Sequence, residues 1–174
     1  PLIVVGGPNP TAMPAETLAE EGIDIVVSGE GERAFAEIAS AFAAGRLRPP
    51  QKQVVVGERL ASSDFPILDR TLVRPAESYR RRCFGRPVIT LEASRGCRNH
   101  CFFCNSSING AGSHGRVVSK AADLVLSEIE TARSAGQNCF RFNDDSFVFA
   151  AEQHDLLDRL AGSGVQYRIF ANAN

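Results

Sequence analysis

The chain lacks any marked excess of charge, any long apolar run and any secretory leader. Lys and Arg number 19 against 20 for Asp and Glu, so the composition provides no basic face for nucleic acid. The longest apolar runs, such as IDIVV and PLIVV, are far shorter than the about 20 residues of a membrane span. The chain has no initiator Met or signal peptide, and it stops at RIFANAN. We therefore expect an internal piece of a longer protein.

The number of cysteines is five, which leaves one unpaired in any disulfide framework. Without a secretory signal, such a framework is disfavoured, and metal binding or catalysis gains weight. We therefore expect a cytoplasmic protein with reduced thiols.

Apolar runs and glycines alternate along the first 45 residues in the manner of an α/β protein. Strands are predicted at 2–5 and 23–27, with a short helix after Pro14 between them. A further helix should follow GEGE and run to about residue 44. Its apolar positions at helical spacing are Phe35, Ile38, Ala39 and Phe42. We interpret residues 1–45 as the end of a parallel, doubly wound sheet.

Residues 46–86 change character and predict a connector that contains one short VVV strand. Regular alternation returns in residues 87–174. Strands are predicted at 88–93, 138–142 and 165–170, and helices at 119–135, capped by Ser119, and 151–161. The order strand, helix, strand, helix, strand predicts a second α/β domain.

Three cysteines, Cys97, Cys101 and Cys104, lie within eight positions in the stretch SRGCRNHCFFCNSS, directly after the strand at 88–93. A structural zinc site would need a fourth ligand, for which His100, His114 and Cys139 are the candidates. A redox CxxC pair would leave Cys97 without a role. An iron–sulfur cluster held by three cysteines would leave one iron open to a small molecule.

The spacing C-x3-C-x2-C after a strand, with the aromatic Phe103 before the last cysteine, resembles the radical SAM superfamily. The resemblance implies that Cys97, Cys101 and Cys104 hold a four-iron, four-sulfur cluster. It also implies that the open iron takes the amino and carboxylate groups of S-adenosylmethionine. One electron, from a donor such as a flavodoxin or ferredoxin, would then cleave the sulfonium to a 5′-deoxyadenosyl radical that acts on a small-molecule substrate.

Further cofactor contacts are implied at the ends of the next two strands. In the family, the end of the second barrel strand contacts the amino group of S-adenosylmethionine, often through Gly-Gly-Glu. Here Asp144 and Asp145 stand at that place, and a carboxylate can accept hydrogen bonds from an ammonium. Asn172, beyond the third strand, is placed to reach a ribose hydroxyl. An acidic helix start explains the two aspartates equally well.

The N-terminal part, with VVGGPNP and IDIVVSGEGE, resembles the closing half of the cobalamin-binding domain that precedes many radical SAM barrels. The resemblance implies that Gly6 and Gly7 approach the corrin or its nucleotide tail, because glycine permits close backbone contact. Gly29 and Glu30 would form the turn into the last helix and, with Gly6 and Gly7, are expected to bind the cofactor. A plain strand-to-loop turn also accounts for the Gly-Gly pair.

These resemblances together predict three segments of an α/β chain. Residues 1–45 would end a Rossmann-like, cobalamin-binding-type domain, 46–86 would connect, and 87–174 would begin a radical SAM partial TIM barrel. The implied activity is that of a cobalamin-dependent methyltransferase. A cobalamin-independent radical SAM rearrangement, cyclisation or oxidation enzyme remains the first alternative, and a zinc-stabilised binding module the second.

Overall fold

The computed structural model describes residues 1–72, 82–83, 85–99, 101, 103–104, 117–147 and 151–171. It is an α/β structure with two parallel sheets, and it divides into two compact units. The first unit comprises the described residues within Pro1–Leu60 and Arg98–Arg116. The second comprises those within Ala61–Cys97 and Val117–Asn174.

The first unit contains a three-stranded parallel sheet in the order β1-β2-β3. Its strands are β1 (Val4–Gly6), β2 (Ile25–Gly29) and β3 (Gln53–Gly57). The helices α1 (Pro8–Ala12) and α2 (Pro14–Ala19) connect β1 to β2, and α3 (Glu32–Ala43) connects β2 to β3. The predicted strands and the helices after Pro14 and GEGE are confirmed. The connector predicted for 46–86 contains β3, which pairs with β2 along five residues.

The inward face of α3 differs from the predicted one. Ala34 and Ile38 are buried against Ile25 and Val27 of β2. Phe35 and Phe42, which belong to the apolar positions at helical spacing in the sequence, are 57% and 44% exposed. Adjacent helical residues are rotated by about 100°, so the sheet that receives Ala34 and Ile38 leaves Phe35 on the flank.

The second unit contains another three-stranded parallel sheet, in the order β10-β9-β6. Its strands are β6 (Ile89–Leu91), β9 (Cys139–Phe142) and β10 (Gln166–Arg168), linked by α4 (Ala122–Ser134) and α5 (Ala151–Leu160). This order of elements confirms the predicted alternation. The helices cover one face of the sheet, where the buried core comprises Leu91, Ala93, Val125, Ile129, Ala132, Phe140, Phe142, Phe147, Leu156 and Leu160.

Two short antiparallel pairs were not predicted. They are β4 (Arg82–Cys83) with β5 (Arg86–Pro87), and β7 (Ser94–Arg95) with β8 (Val118–Ser119). Ser119 therefore lies in a strand, and the prediction that it caps α4 is wrong. The residue at the N-cap of α4 is Ala121, which makes no side-chain cap. Ser119 pairs with Ser94 of β7 instead of capping the helix.

A buried ion-pair network fastens the segment before β4 to the rest of the second unit. Lys120 and Glu128 are about 5% exposed or less and form an ion pair. Arg70 reaches the same carboxylate at 3.3 Å and donates to the carbonyl of Thr90 at 2.8 Å, while Lys120 donates to the carbonyl of Pro66 at 3.3 Å. Removing one partner would leave a buried charge without compensation, so these residues act together.

Among the described residues, no helix is long and apolar enough to cross a bilayer.

The carboxyl ends of β2 and β3 approach each other so closely that glycine is required. A Cβ on Gly57 would lie 1.7 Å from the carbonyl oxygen of Glu30. Gly29 has φ +96°, and a Cβ there would lie 2.9 Å from the carbonyl oxygen of Gly57. The glycines at these two positions therefore determine the path of the GEGE turn.

We expect Gly57→Ala to lower the free energy of unfolding by about 1–3 kcal/mol or more, because the new methyl group overlaps backbone atoms. Urea unfolding followed by circular dichroism measures the change. Gly6→Ala is the matched control, since Gly6 also ends a strand of this sheet and its Cβ would lie 3.4 Å from the carbonyl oxygen of Val27. Equal stabilities of the two variants would contradict the close approach.

Candidate metal centre

The segment that carries the three cysteines starts and finishes in paired strands. Ser94 pairs with Ser119 and Arg95 with Val118, and the amide of Lys120 donates to the carbonyl of Ala93 at 2.8 Å. The cysteine segment therefore begins and ends at one place, next to the carboxyl end of β6. Ligands of parallel α/β sheets bind at such ends.

The two residues just before Cys97 each have a defined conformation: Arg95 through its side-chain contacts and Gly96 through its backbone. The guanidinium of Arg95 makes two hydrogen bonds to the carboxylate of Glu92, at 2.8 and 2.9 Å, and lies 5.0 Å from the ring centroid of Phe65. Gly96 has φ +93°, a conformation that side chains disfavour. The sequence SRGC thus combines a fixed arginine with a glycine turn directly before the first thiol.

All five cysteines lie among the described residues, and none forms a disulfide. Cys97 and Cys104 are half-buried, whereas Cys101 is exposed, and the amide of Cys104 donates to the carbonyl of Cys101 at 3.0 Å. As ligands, three thiols suit an iron–sulfur cluster or another thiolate-bound metal. Within the described ranges, however, no three His, Cys, Asp or Glu side chains are grouped closely enough to hold a metal ion.

Of the other residues predicted around the motif, Phe103 and Cys139 lie among the described residues. Phe103 is 78% exposed. His100 and His114 lie outside the described residues, so neither is tested as a fourth ligand. The remaining candidate, Cys139, is 1% exposed and its thiol donates to the carbonyl of Cys83 at 3.4 Å. Burial raises the pKa of the Cys139 thiol, which disfavours the thiolate that a metal requires.

Asp144 is a buried carboxylate that holds the start of the cysteine segment. It is 3% exposed. Its Oδ1 accepts from the amide of Ala93 at 2.9 Å, and its Oδ2 accepts from Ser94 Oγ at 2.7 Å and from Gln153 Nε2 at 3.2 Å. Gln153 also donates to Ser94 Oγ at 2.6 Å. We call Asp144, Ser94 and Gln153 the carboxylate network.

Burial raises the pKa of Asp144 to about 6, although its hydrogen bonds from Ala93, Ser94 and Gln153 oppose the shift. This value means that the carboxylate gains and loses its proton in the ordinary working range of pH. The three donors reduce the cost of burying the charge without removing it.

The structure distinguishes the two aspartates that the sequence proposed as ligands. Asp144 is buried and accepts hydrogen bonds from Ala93 and Ser94, whereas Asp145 is exposed at the carboxyl end of β9. Of the two, Asp145 is the one with room for an external ammonium group, and its ligand role remains a prediction. Asn172 lies outside the described residues.

Gln153 was not identified from the sequence, although a signal exists. It lies on α5 in register with Leu156 and Leu160, which are buried in the core. A glutamine on an apolar helix face must find hydrogen-bond partners inside the protein. Its partners, Asp144 and Ser94, lie 9 and 59 residues away in sequence, so only the fold could identify them.

The glycines predicted to contact cobalamin lie at the carboxyl edge of the first sheet. Gly6 and Gly7 are exposed, and Gly7 has φ +102° with no atom within 4 Å of an added Cβ. The amide of Gly29 bonds Thr11 Oγ1 at 3.0 Å. Glu30 Oε2 accepts from the amide of Leu60 at 2.8 Å. Gly7 thus borders open space, and Gly6 is exposed although a Cβ there would lie 3.4 Å from the carbonyl oxygen of Val27, whereas Gly29 and Glu30 are engaged within the unit.

Comparisons with known proteins agree with the resemblance inferred from the sequence. No family model matches the chain. It is 28% identical over 167 residues to an uncharacterized methyltransferase of Pyrococcus horikoshii, a match that covers 84% of this chain and 34% of that protein. The alignment thus spans about a third of the relative's length.

The fold resembles that of TsrM from Kitasatospora setae, a radical S-adenosylmethionine methyltransferase. One TsrM structure, with cobalamin and a [4Fe-4S] cluster bound, matches with a TM-score of 0.60. Another, with tryptophan substrate and the S-adenosylmethionine analogue aza-SAM, matches with a TM-score of 0.62. Each match has 20% identity and covers 91% of this chain and 33% of TsrM. These matches confirm the predicted resemblance at the level of the fold.

We expect Asp144→Asn to change how stability depends on pH. A carboxyl group whose pKa is raised by folding stabilises the fold fully below its unfolded pKa, about 4, and loses that contribution as pH rises through about 6. The free energy of unfolding of the wild type, minus that of Asp144→Asn, should therefore fall by about 3 kcal/mol at most between pH 4 and 7.

Urea unfolding at a series of pH values measures this difference. Asp145→Asn is the matched control, because it neutralises the adjacent, exposed carboxylate. A difference that rises with pH, or one that is the same for both variants, would contradict the assignment to Asp144.

Proposed function

We propose that the chain is part of a radical SAM enzyme in which Cys97, Cys101 and Cys104 hold a four-iron, four-sulfur cluster. The observation that carries the proposal is the antiparallel pairing of β7 with β8, which we call the stem. The three-cysteine segment begins and ends at this stem, next to the carboxyl end of the parallel strand β6. The likeness to TsrM supports the same assignment. When bound and reduced, such a cluster supplies the electron that cleaves S-adenosylmethionine.

The residues of this chain would position and shield the cofactors. Asp144 and Ser94 hold the backbone before Cys97, and Gly96 turns it. Phe103, exposed beside Cys104, is the side chain available to exclude water from a bound cluster. Asp145, exposed at the next strand end, would accept hydrogen bonds from the amino group of S-adenosylmethionine. Asn172 remains the proposed partner of a ribose hydroxyl.

We further propose that the enzyme is a cobalamin-dependent methyltransferase acting on a small molecule. The exposed carboxyl edge at Gly6 and Gly7, with open space beside Gly7, supports a cofactor there, since backbone without side chains permits close approach. Because Gly29 and Glu30 are engaged internally, we assign them to support of that edge rather than to direct contact. Corrinoid retained by protein produced with cobalamin distinguishes this enzyme from a cobalamin-independent one.

The segments 1–45, 46–86 and 87–174 are proposed as the end of the cobalamin-binding-type domain, the connector and the start of a partial barrel. In that assignment β3, within 46–86, contributes to the first sheet. We propose a cytoplasmic location, which the absence of disulfides among the five described cysteines supports. An electron donor such as a flavodoxin or ferredoxin would reduce the cluster.

We expect the chain, reconstituted with iron and sulfide without oxygen, to hold about four irons and four sulfides. A Cys97→Ala, Cys101→Ala, Cys104→Ala triple variant should lose both, because its thiolate ligands are gone. Iron, sulfide and zinc per chain measure the outcome.

The matched control for that experiment is Cys83→Ala, which removes a half-buried thiol outside the motif. It leaves the carbonyl that accepts from Cys139 in place. This variant should bind iron as the wild type does. One zinc without sulfide in the wild type would instead favour the zinc-stabilised binding module.

A further inference from the structure

Two arginines lie side by side on the face of the second sheet that the helices do not cover. Phe140 and Phe142 of β9 are buried in the core with α4 and α5. Successive strand residues point to opposite faces, so Arg141 points away from the helices. Arg168 of β10 is its direct partner in the parallel register. Two positive side chains therefore occupy neighbouring positions on one face.

Both guanidinium groups contact one aromatic ring. The guanidinium carbon of Arg141 lies 5.2 Å from the ring centroid of Phe170, and that of Arg168 lies 5.4 Å from it. The ring itself is 42% exposed. We call Arg141, Arg168 and Phe170 the arginine cluster. Cation–π contact holds the two cations close together despite their mutual repulsion.

The two arginines of the arginine cluster are distinguished by their lack of carboxylate partners within the part of the chain that the structure describes. Among the described residues, neither Arg141 nor Arg168 forms an ion pair, and Arg141 Nε is buried without a hydrogen-bond partner. Four other arginines of the same unit do have carboxylate partners: Arg70 with Glu128, Arg95 with Glu92, Arg133 with Glu130, and Arg159 with Asp123. A buried N–H without a partner is costly, and an anion would satisfy it.

The arginine cluster lies toward the ligand-binding end of the sheet. Thr90 of β6 is in register with Arg141, and β9 ends one residue later, at Phe142. Nearer the amino end, Cys139 shares this face but is 1% exposed, with its thiol bonded to the carbonyl of Cys83. The face is therefore closed at its amino end and accessible from Arg141 toward the strand ends that carry the cysteine segment and Asp145.

We propose that the arginine cluster is a binding subsite for an oxyanion, a carboxylate or phosphate group, carried by a small molecule with an apolar portion beside that group. Guanidinium groups match such oxyanions with paired hydrogen bonds. The exposed part of the Phe170 ring would pack against the apolar portion. The subsite deepens the proposed function, because it assigns an anionic group to the substrate, and its role in turnover rests on that function.

The test titrates the full chain, without cluster, with inorganic phosphate and with benzoate at constant ionic strength. Nuclear magnetic resonance of the arginine Nε–Hε groups reports which side chains respond. We expect saturable shifts at Arg141 and Arg168. Arg141→Gln and Arg168→Gln should each raise the dissociation constant about tenfold, because each removes one charged partner.

Phe170→Leu and Arg133→Gln complete the design. Phe170→Leu should weaken benzoate more than phosphate, because only benzoate offers a flat apolar part. Arg133→Gln, which removes an exposed arginine paired with Glu130, should leave both affinities unchanged. Shifts that do not saturate, or that Arg133 shares equally, would mean an adventitious ion only and would overturn the proposal.

A third titration, with S-adenosylmethionine, identifies the source of the oxyanion. Shifts at Arg141 and Arg168 would assign the subsite to the methionyl carboxylate, whereas their absence, with phosphate and benzoate still bound, would assign it to the substrate as proposed. All three titrations use protein without a cluster. Failure of cluster assembly would therefore remove the proposed function and leave anion binding intact, and the reverse result would remove only the subsite.

Discussion

The hydrogen bonds from Ala93 and Ser94 to the buried carboxylate of Asp144 are the constraint on which the rest of the site depends. They join the end of β9 to the segment that follows β6, and Gln153 fastens the same carboxylate to α5. Because the next residues are Arg95, Gly96 and Cys97, this junction determines where the cysteine segment starts. The hydrogen bonds offset only part of the cost of burying this charge, so burial raises the pKa of Asp144 to about 6.

The two faces of the second sheet, and its two ends, carry different kinds of residue. The helix-covered face contains Phe140 and Phe142 and supplies most of the apolar burial. The opposite face is closed near its amino end by the contact of Cys139 with Cys83, and it presents Arg141 farther along. The carboxyl end carries the stem of the cysteine segment and the exposed Asp145. Such a division lets a parallel sheet keep its core while polar groups gather at one edge.

Much of the fold could be predicted from the sequence, because apolar runs and glycine stops are local signals. The strands around Val26, Phe140 and Tyr167 follow directly from such runs. The strands β7 and β8 could not be predicted, since each has two residues and they pair across more than twenty positions. The orientation of α3 was mispredicted because Phe35 is more apolar than Ala34, and only the position of the sheet decides which one is buried.

Residue type and spacing alone suggest Cys97, Cys101 and Cys104 as the candidate site, and their role as cluster ligands stays a prediction. The site was not predictable where burial decides the role. Asp144 and Asp145 are identical in type and adjacent in sequence, yet one is enclosed by donors from distant segments and the other faces solvent. The arginine cluster was missed for the same reason, because Arg141 and Arg168 become neighbours only through the pairing of β9 with β10.

A cluster held by Cys97, Cys101 and Cys104 alone would leave one iron open to S-adenosylmethionine. Electron paramagnetic resonance of the reconstituted, reduced chain, recorded with and without S-adenosylmethionine, detects whether that iron gains a ligand. We expect the signal of a reduced four-iron cluster whose g-values shift when S-adenosylmethionine is added, because the open iron gains new ligands. A cluster signal that is unchanged at saturating S-adenosylmethionine would mean that no iron is open to it.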